Sequence, residues 1–147
     1  MDNWLNVYEL PKHTIRYIED ELRVYNTLKA SIPIMEQDYL DILNKTRQFS
    51  MVPGNSGGNE DKLGNDATKL INIQNKSMDY ARRVERIEMG IRLCTEDERK
   101  LITAKYFSGF DYRDEAIMEQ LHCGKRNRYF EVKRSAVYKF AIVFGLV

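Results

Sequence analysis

Between positions 125 and 134 the chain sets Lys125, Arg126, Arg128, Lys133 and Arg134 around Asn127, with one acid, Glu131, among them. Guanidinium and ammonium groups donate hydrogen bonds to anionic oxygens and keep their charge at neutral pH. The amide and the carboxylate add a donor and acceptors of their own. Such a set suits recognition of a polyanion by charge and hydrogen bonding, with no covalent bond made or broken. The asymmetry is local. From His122 onward there are six basic side chains and one acid, whereas the other 121 residues hold 17 basic and 21 acidic ones. The near-neutral total of +1 therefore hides a basic tip on an acidic body.

Other constellations carry less. His122 beside Cys123, with His13 and Cys94 far away in sequence, lacks the spacing of a zinc site, so no metal or cofactor is expected. No Ser-His-Asp or Cys-His set has a recognisable local signature. The paired acids Asp114 and Glu115 stand at a helix start, where the helix dipole accounts for them without catalysis. The segment GNSGG lacks the Gly-Lys-Ser/Thr of a phosphate-binding loop. The expectation is a binding protein and not an enzyme.

The basic residues need a frame, and the segment DEAIMEQLHCGKRNRYFEVKRSAVYKFAIVFGLV supplies one. A short amphipathic helix reaches Leu121, and His122-Cys123-Gly124 form a turn with Cys123 as a small buried residue. A longer helix then runs from Lys125 to about Phe144, with Gly124 as its N-cap. At 3.6 residues per turn, Tyr129, Val132, Ala136, Phe140 and Val143 share one side, flanked by Phe130, Val137 and Phe144. Asn127, Glu131, Arg134 and Tyr138 occupy the other side, with Arg128 and Ser135 at its edge. Ahead of this pair, Thr95-Glu96-Asp97-Glu98 reads as a capping box. It opens a helix to about Phe107 that buries Leu101, Ile102, Ala104 and Tyr106 or Phe107. Ser108-Gly109 ends it, and the next helix begins at Asp111 or Tyr112.

Two short helices, a tight turn and a basic second helix are the layout of a helix-turn-helix, which reads duplex DNA from the major groove. In that frame Arg128 and Arg134 suit guanine, Asn127 adenine, and Glu131 the cytosine amino group, while flanking cations hold phosphates; Lys125, Arg126 and Lys133 belong to the same candidate DNA-binding set. Arg113, ahead of the preceding helix, completes the candidate DNA-binding set.

Upstream the chain is helical too. Ile15, Ile18, Leu22, Tyr25 and Leu28 recur at helical spacing behind Thr14, a candidate N-cap. Pro33 is expected to interrupt this helix, because it lacks the N–H that a helix interior needs. Met35, Tyr39, Ile42, Leu43 and Phe49 then line a second helix, making a hairpin or a kinked rod. Residues 50–65 hold Pro53 and four of the eight glycines and read as a flexible linker. From residue 66 a long helix carries Leu70, Ile73, Ser77, Tyr80, Val84, Ile87 and Ile91 in the three-four rhythm of a coiled coil. This seam fits intrachain packing and self-association equally, since the rhythm demands a partner helix without saying whose it is. The expected fold is therefore all-α: N-terminal helices over 1–49, a linker over 50–65, a long helix over 66–94, and a helix-turn-helix domain over 95–147.

The order of these pieces resembles the RinA/ArpU-type transcriptional regulators of bacteriophages and prophages. The resemblance rests on IRYIEDELRVYNTLK, on NDATKLI with the long helix behind it, and on ERKLITAKYFSGFDYRDEAIMEQLHCGKRNRYFEVKRSAVYKFAIVFGL. The last segment is similar to the promoter-reading domain of sigma factors. The resemblance implies a DNA-binding activator of late phage genes for packaging, morphogenesis and lysis, with promoter DNA and host RNA polymerase as partners. By position it implies that residues 125–134 read DNA and that Tyr129 and Phe130 match the family's aromatic pair. Gly124 departs from the serine or threonine cap common there. Two other readings compete: a DNA-packaging component similar to a small terminase subunit, and a helical adaptor whose basic helix docks an acidic protein. No apolar run approaches the ~20 residues of a membrane span. MDNWLNVYELPKHT lacks the basic start and apolar stretch of a signal peptide. The expected location is the cytoplasm of a bacterial host.

Overall fold

A computed structural model describes residues 9–50, 60–109, 113–122 and 124–147. The described residues are all-α, and no helix among them is long and apolar enough to cross a membrane. In chain order the helices are α1 (Lys12–Arg23), α2 (Tyr25–Ser50), α3 (Glu60–Leu93), α4 (Glu96–Ile102), α5 (Asp114–Gln120) and α6 (Arg126–Val143). A π-helical turn, Thr103–Phe107, extends α4. The chain divides into two compact units: residues up to Asn26 together with Val84–Val147, and Thr27–Arg83. The 95–147 domain expected from sequence is thus incomplete. It also contains α1 and the last turns of α3, because Ile18 and Leu22 of α1 and Ile87 of α3 are fully buried in that unit.

The ends of the first helices fall elsewhere than the sequence signals suggest. Helix α1 starts behind Pro11, not Thr14, and the Pro11 carbonyl accepts from the amides of Thr14 and Ile15. Proline suits this edge because its missing N–H would be unpaired there anyway. The break comes at Val24 (φ −91°, ψ 0°), and Pro33 lies inside the 26-residue α2. A long helix tolerates one lost hydrogen bond and bends around it, since its other turns still propagate. Helix α3 begins at Glu60, so Gly64 and the rest of 60–65, expected as linker, are helical. Positions 51–59, the remainder of the expected linker, lie outside the described residues.

The hairpin or kinked rod expected at Pro33 is one continuous helix, α2, and in the Thr27–Arg83 unit α2 lies beside α3. Thr46 Oγ1 donates to Asp66 Oδ2 at 3.4 Å near the connection, and Met35 and Tyr39 share a cleft with Ile73 and Ser77 further along. The long seam is thereby occupied by the chain's own α2 in this unit. Leu70, Ile73, Ser77 and Tyr80 are half-buried there, whereas Val84 and Ile87 are buried in the other unit and Ile91 is half-buried.

The larger unit has a continuous core. Leu101, Ile102, Tyr106, Ile117, Tyr129, Ala136 and Phe140 are all almost inaccessible. Burying each large apolar side chain contributes about 1.5–3 kcal/mol. The α6 wheel is confirmed in outline: Tyr129, Ala136, Val137, Phe140 and Ala141 are buried, and Asn127, Arg128, Glu131 and Arg134 are exposed. Gly90 is the point where α3 meets α6. A Cβ there would stand 2.3 Å from Cδ1 and 2.4 Å from Cε1 of Phe140, so only glycine admits this ring.

Candidate nucleic-acid interface

Three buried polar clusters set where the basic helix stands. At the start of α4, Thr95 Oγ1 accepts from the Glu98 amide (3.3 Å) and Glu98 Oε1 accepts from the Thr95 amide (3.0 Å). This is the capping box expected from the sequence. The same Glu98 oxygen accepts from Lys139 Nζ of α6, so the cap also ties the two helices together. Burial pushes the Glu98 carboxyl up. Hydrogen bonds from Lys139 and Thr95, with the Lys139 charge, outweigh this and hold it below its ordinary value. Cys94, buried beside Glu98, has its thiol pushed up to about 11, by burial first and by the Glu98 charge second.

The second cluster centres on Asp114, the first residue of α5. Its Oδ1 accepts from Lys105 Nζ at 2.7 Å and from the Tyr129 hydroxyl at 2.7 Å, and Lys133 Nζ lies 3.4 Å away. Burial raises the Asp114 carboxyl, but bonds from Lys105 and Tyr129 and the charges of Lys133 and Lys105 lower it by more. Lys105 is only 4 % exposed and is the one buried cation among the described residues. The π-helical turn explains its position. One extra residue in the turn rotates the helix, so Ala104, Lys105 and Tyr106 all face inward in succession. In the third cluster the Tyr106 hydroxyl donates to Glu19 Oε2 of α1 at 2.7 Å, and burial with the Glu19 charge raises the Tyr106 phenol.

On this frame α5 spans Asp114–Gln120, two or three residues later than expected, and Leu121 caps it. His122 takes the left-handed conformation (φ 54°) that turns the chain. Cys123, expected as a small buried turn residue, lies outside the described residues. Lys125, not Gly124, is the N-cap of α6, which begins at Arg126. Lys125 is extended (φ −123°, ψ 118°), a conformation open to any residue, so glycine has no advantage there.

The candidate residues then separate. Lys125, Arg126, Asn127, Arg128, Glu131 and Arg134 are exposed on one end of α6, and Arg113 is exposed at the N-cap of α5. Lys133, also in the candidate DNA-binding set, stands apart from these. Its side chain is 18 % exposed, against 64 % for Arg128, and its ammonium turns to Asp114 and the Phe130 ring. The attraction of a part-buried carboxylate outweighs full hydration at that position. Arg126 pairs with Glu115 (3.5 Å) and lies over Phe130, while Arg128 pairs with Asp97 and Glu131 (3.9 Å each). These pairs are solvated, and such pairs contribute about 0–1 kcal/mol. Exchange for another anion is therefore inexpensive.

The N-terminus of α6, like that of α1, offers its amides without a capping side chain. Its first turn holds no acid. The positive end of a helix dipole faces outward together with Lys125, Arg126 and Arg128, an arrangement that opposes helix stability by a few tenths of a kcal/mol per cation. An anion placed there would bond the unpaired amides and relieve the repulsion. Among the described residues no group of three His, Cys, Asp or Glu side chains could hold a metal. No family model matches the chain, and neither a curated protein nor a solved structure matches it.

Proposed function

We propose that this protein binds double-stranded DNA through the N-terminal half of α6 and acts as a sequence-specific transcriptional regulator. The observation that carries the reading is the uncapped, acid-free start of α6 beside exposed Lys125, Arg126 and Arg128, with exposed Arg134 two turns further along. The helix dipole disfavours cations at that end, and their solvated pairs with Glu115, Asp97 and Glu131 offset this only weakly. A phosphate backbone gives them a counter-charge, and the adjacent Asn127 and Glu131 offer the hydrogen-bonding groups that distinguish base edges. The short α5, the turn and α6 follow the order of a helix-turn-helix. The resemblance of this segment to RinA/ArpU-type regulators supports the narrower reading, activation of late phage genes in a bacterial host.

Fluorescence anisotropy with labelled duplex DNA at two salt concentrations tests the reading. Affinity should fall steeply with salt as phosphate contacts release counterions. Replacing Arg126, Arg128 and Arg134 together by alanine should weaken binding and flatten the logarithmic salt dependence. Absence of binding at low salt, or unchanged affinity in the triple variant, sinks the proposal.

A further inference from the structure

We propose that the cleft between the start of α1 and the N-terminal half of α6 binds a small organic monoanion with an apolar body, such as a carboxylate. Both segments belong to the larger unit, so the cleft lies within one packed body. It holds about 340 Å³, at the small end of the about 300–1,000 Å³ typical of ligand sites. Leu10 and Ile15 line it from the α1 side, and Phe130 and Val137 from α6. Val137 is only 4 % exposed, so this apolar floor is recessed and is not a flat surface stripe.

The rim is polar and positive. Asn127, Lys133 and Arg134 complete the lining, which includes no acid. Arg134 Nε donates to the Phe130 carbonyl at 3.3 Å, which holds the guanidinium along the helix. Its two terminal amino groups, and the Asn127 side-chain amide, have no partner among the described residues. Those groups suit a carboxylate, which a guanidinium binds through paired N–H bonds. Lys133 keeps its ammonium on Asp114, so Arg134 is the charge that a ligand would meet first. Arg126, over the Phe130 ring at 5.2 Å, adds to the positive potential.

Duplex DNA does not fill such a recess. Bases in a duplex stay stacked and present only their edges, so a thymine methyl would occupy a small part of it. A surface that meets only DNA is polar and positive, with no use for a buried apolar floor. An apolar floor below a guanidinium matches a molecule with one apolar end and one anionic end. Burial of the body covers Leu10, Ile15, Phe130 and Val137, and the charge pairs at Arg134 and Asn127. Asn127 and Arg134 also belong to the DNA-binding set, so an occupant should compete with DNA. That consequence rests on the DNA reading, and the site itself does not.

Calorimetric titration of the full chain with naphthoate tests the site, with naphthamide as the neutral control. Naphthoate should bind more tightly than the amide by roughly tenfold, because a hydrogen bond to a charged group is stronger than a neutral one. Arg134→Gln should remove that preference, and its exposed position spares the fold. Leu10→Glu, which sets a like charge against the ligand, should weaken naphthoate binding by about tenfold or more. Circular dichroism checks that both variants stay helical. No binding at millimolar naphthoate, equal affinity for the amide, or an affinity unmoved by either substitution overturns the proposal. In the anisotropy assay, saturating naphthoate should raise the Kd for DNA. A chain that takes up naphthoate but binds no DNA sinks the DNA reading and leaves the site standing. Equal DNA affinity with and without bound naphthoate overturns the competition.

Discussion

The Tyr129 hydroxyl donates to Asp114 Oδ1 at 2.7 Å and so ties the first residue of α5 to the first turns of α6. The same oxygen holds Lys105 from the π-helical turn. One carboxylate thus fixes the relative positions of three elements, and the exposed arginines of α6 inherit that alignment. A hydrogen bond to a charged group contributes about 1.5–3 kcal/mol. Tyr129→Phe should lose stability in that range in urea titrations. Asp114→Asn should lose more, because it removes the carboxylate charge that the buried Lys105 ammonium faces at 2.7 Å. A Tyr129→Phe variant as stable as the parent contradicts the alignment role.

Acid should unfold the protein through Asp114 and Glu98. Both carboxyls are held below their ordinary values in the folded chain. A depressed folded value contributes stability that is complete above the unfolded value, about 4, and is lost as pH falls through the folded one. The melting temperature should therefore be flat near neutrality from these two groups and drop below about pH 4. Asp114→Asn should make that acid limb shallower. An equally steep limb in this variant counts against the assignment.

Gly90→Ala should reverse the usual sign of a helix substitution. Alanine in place of glycine inside a helix normally stabilises by about 1 kcal/mol. Here the new methyl would enter the Phe140 ring, which is itself fully buried. Overpacking of this kind costs about 1–3 kcal/mol. Thermal denaturation of Gly90→Ala should show a lower midpoint, and Phe140→Leu in the same background should recover part of the loss.

Pro33→Ala should raise stability by as much as about 3 kcal/mol, since it restores the backbone donor missing from the interior of α2. Chemical denaturation reads this directly. Unchanged stability would mean that Pro33 itself contributes to the packing of α2.

The basic helix and its two faces were legible in the sequence because helical periodicity is local: residues three and four apart share a side whatever surrounds them. The Thr95 capping box was legible for the same reason, since its two hydrogen bonds join residues three apart. The inner seam of α3 was legible as a pattern, but its partner was not. Spacing states that a stripe must be covered, and only the tertiary structure brings Met35 and Tyr39 of α2 onto it and leaves Ile71 and Met78 outside. Lys105 and Lys133 mark the same divide. Both are ordinary lysines in the sequence, and the register of a π-helical turn buries one while the position of Asp114 draws in the other. Local spacing determined which residues share a face. Which faces meet depended on the balance of burial and charge between segments distant in the chain, and that balance is settled only when they pack.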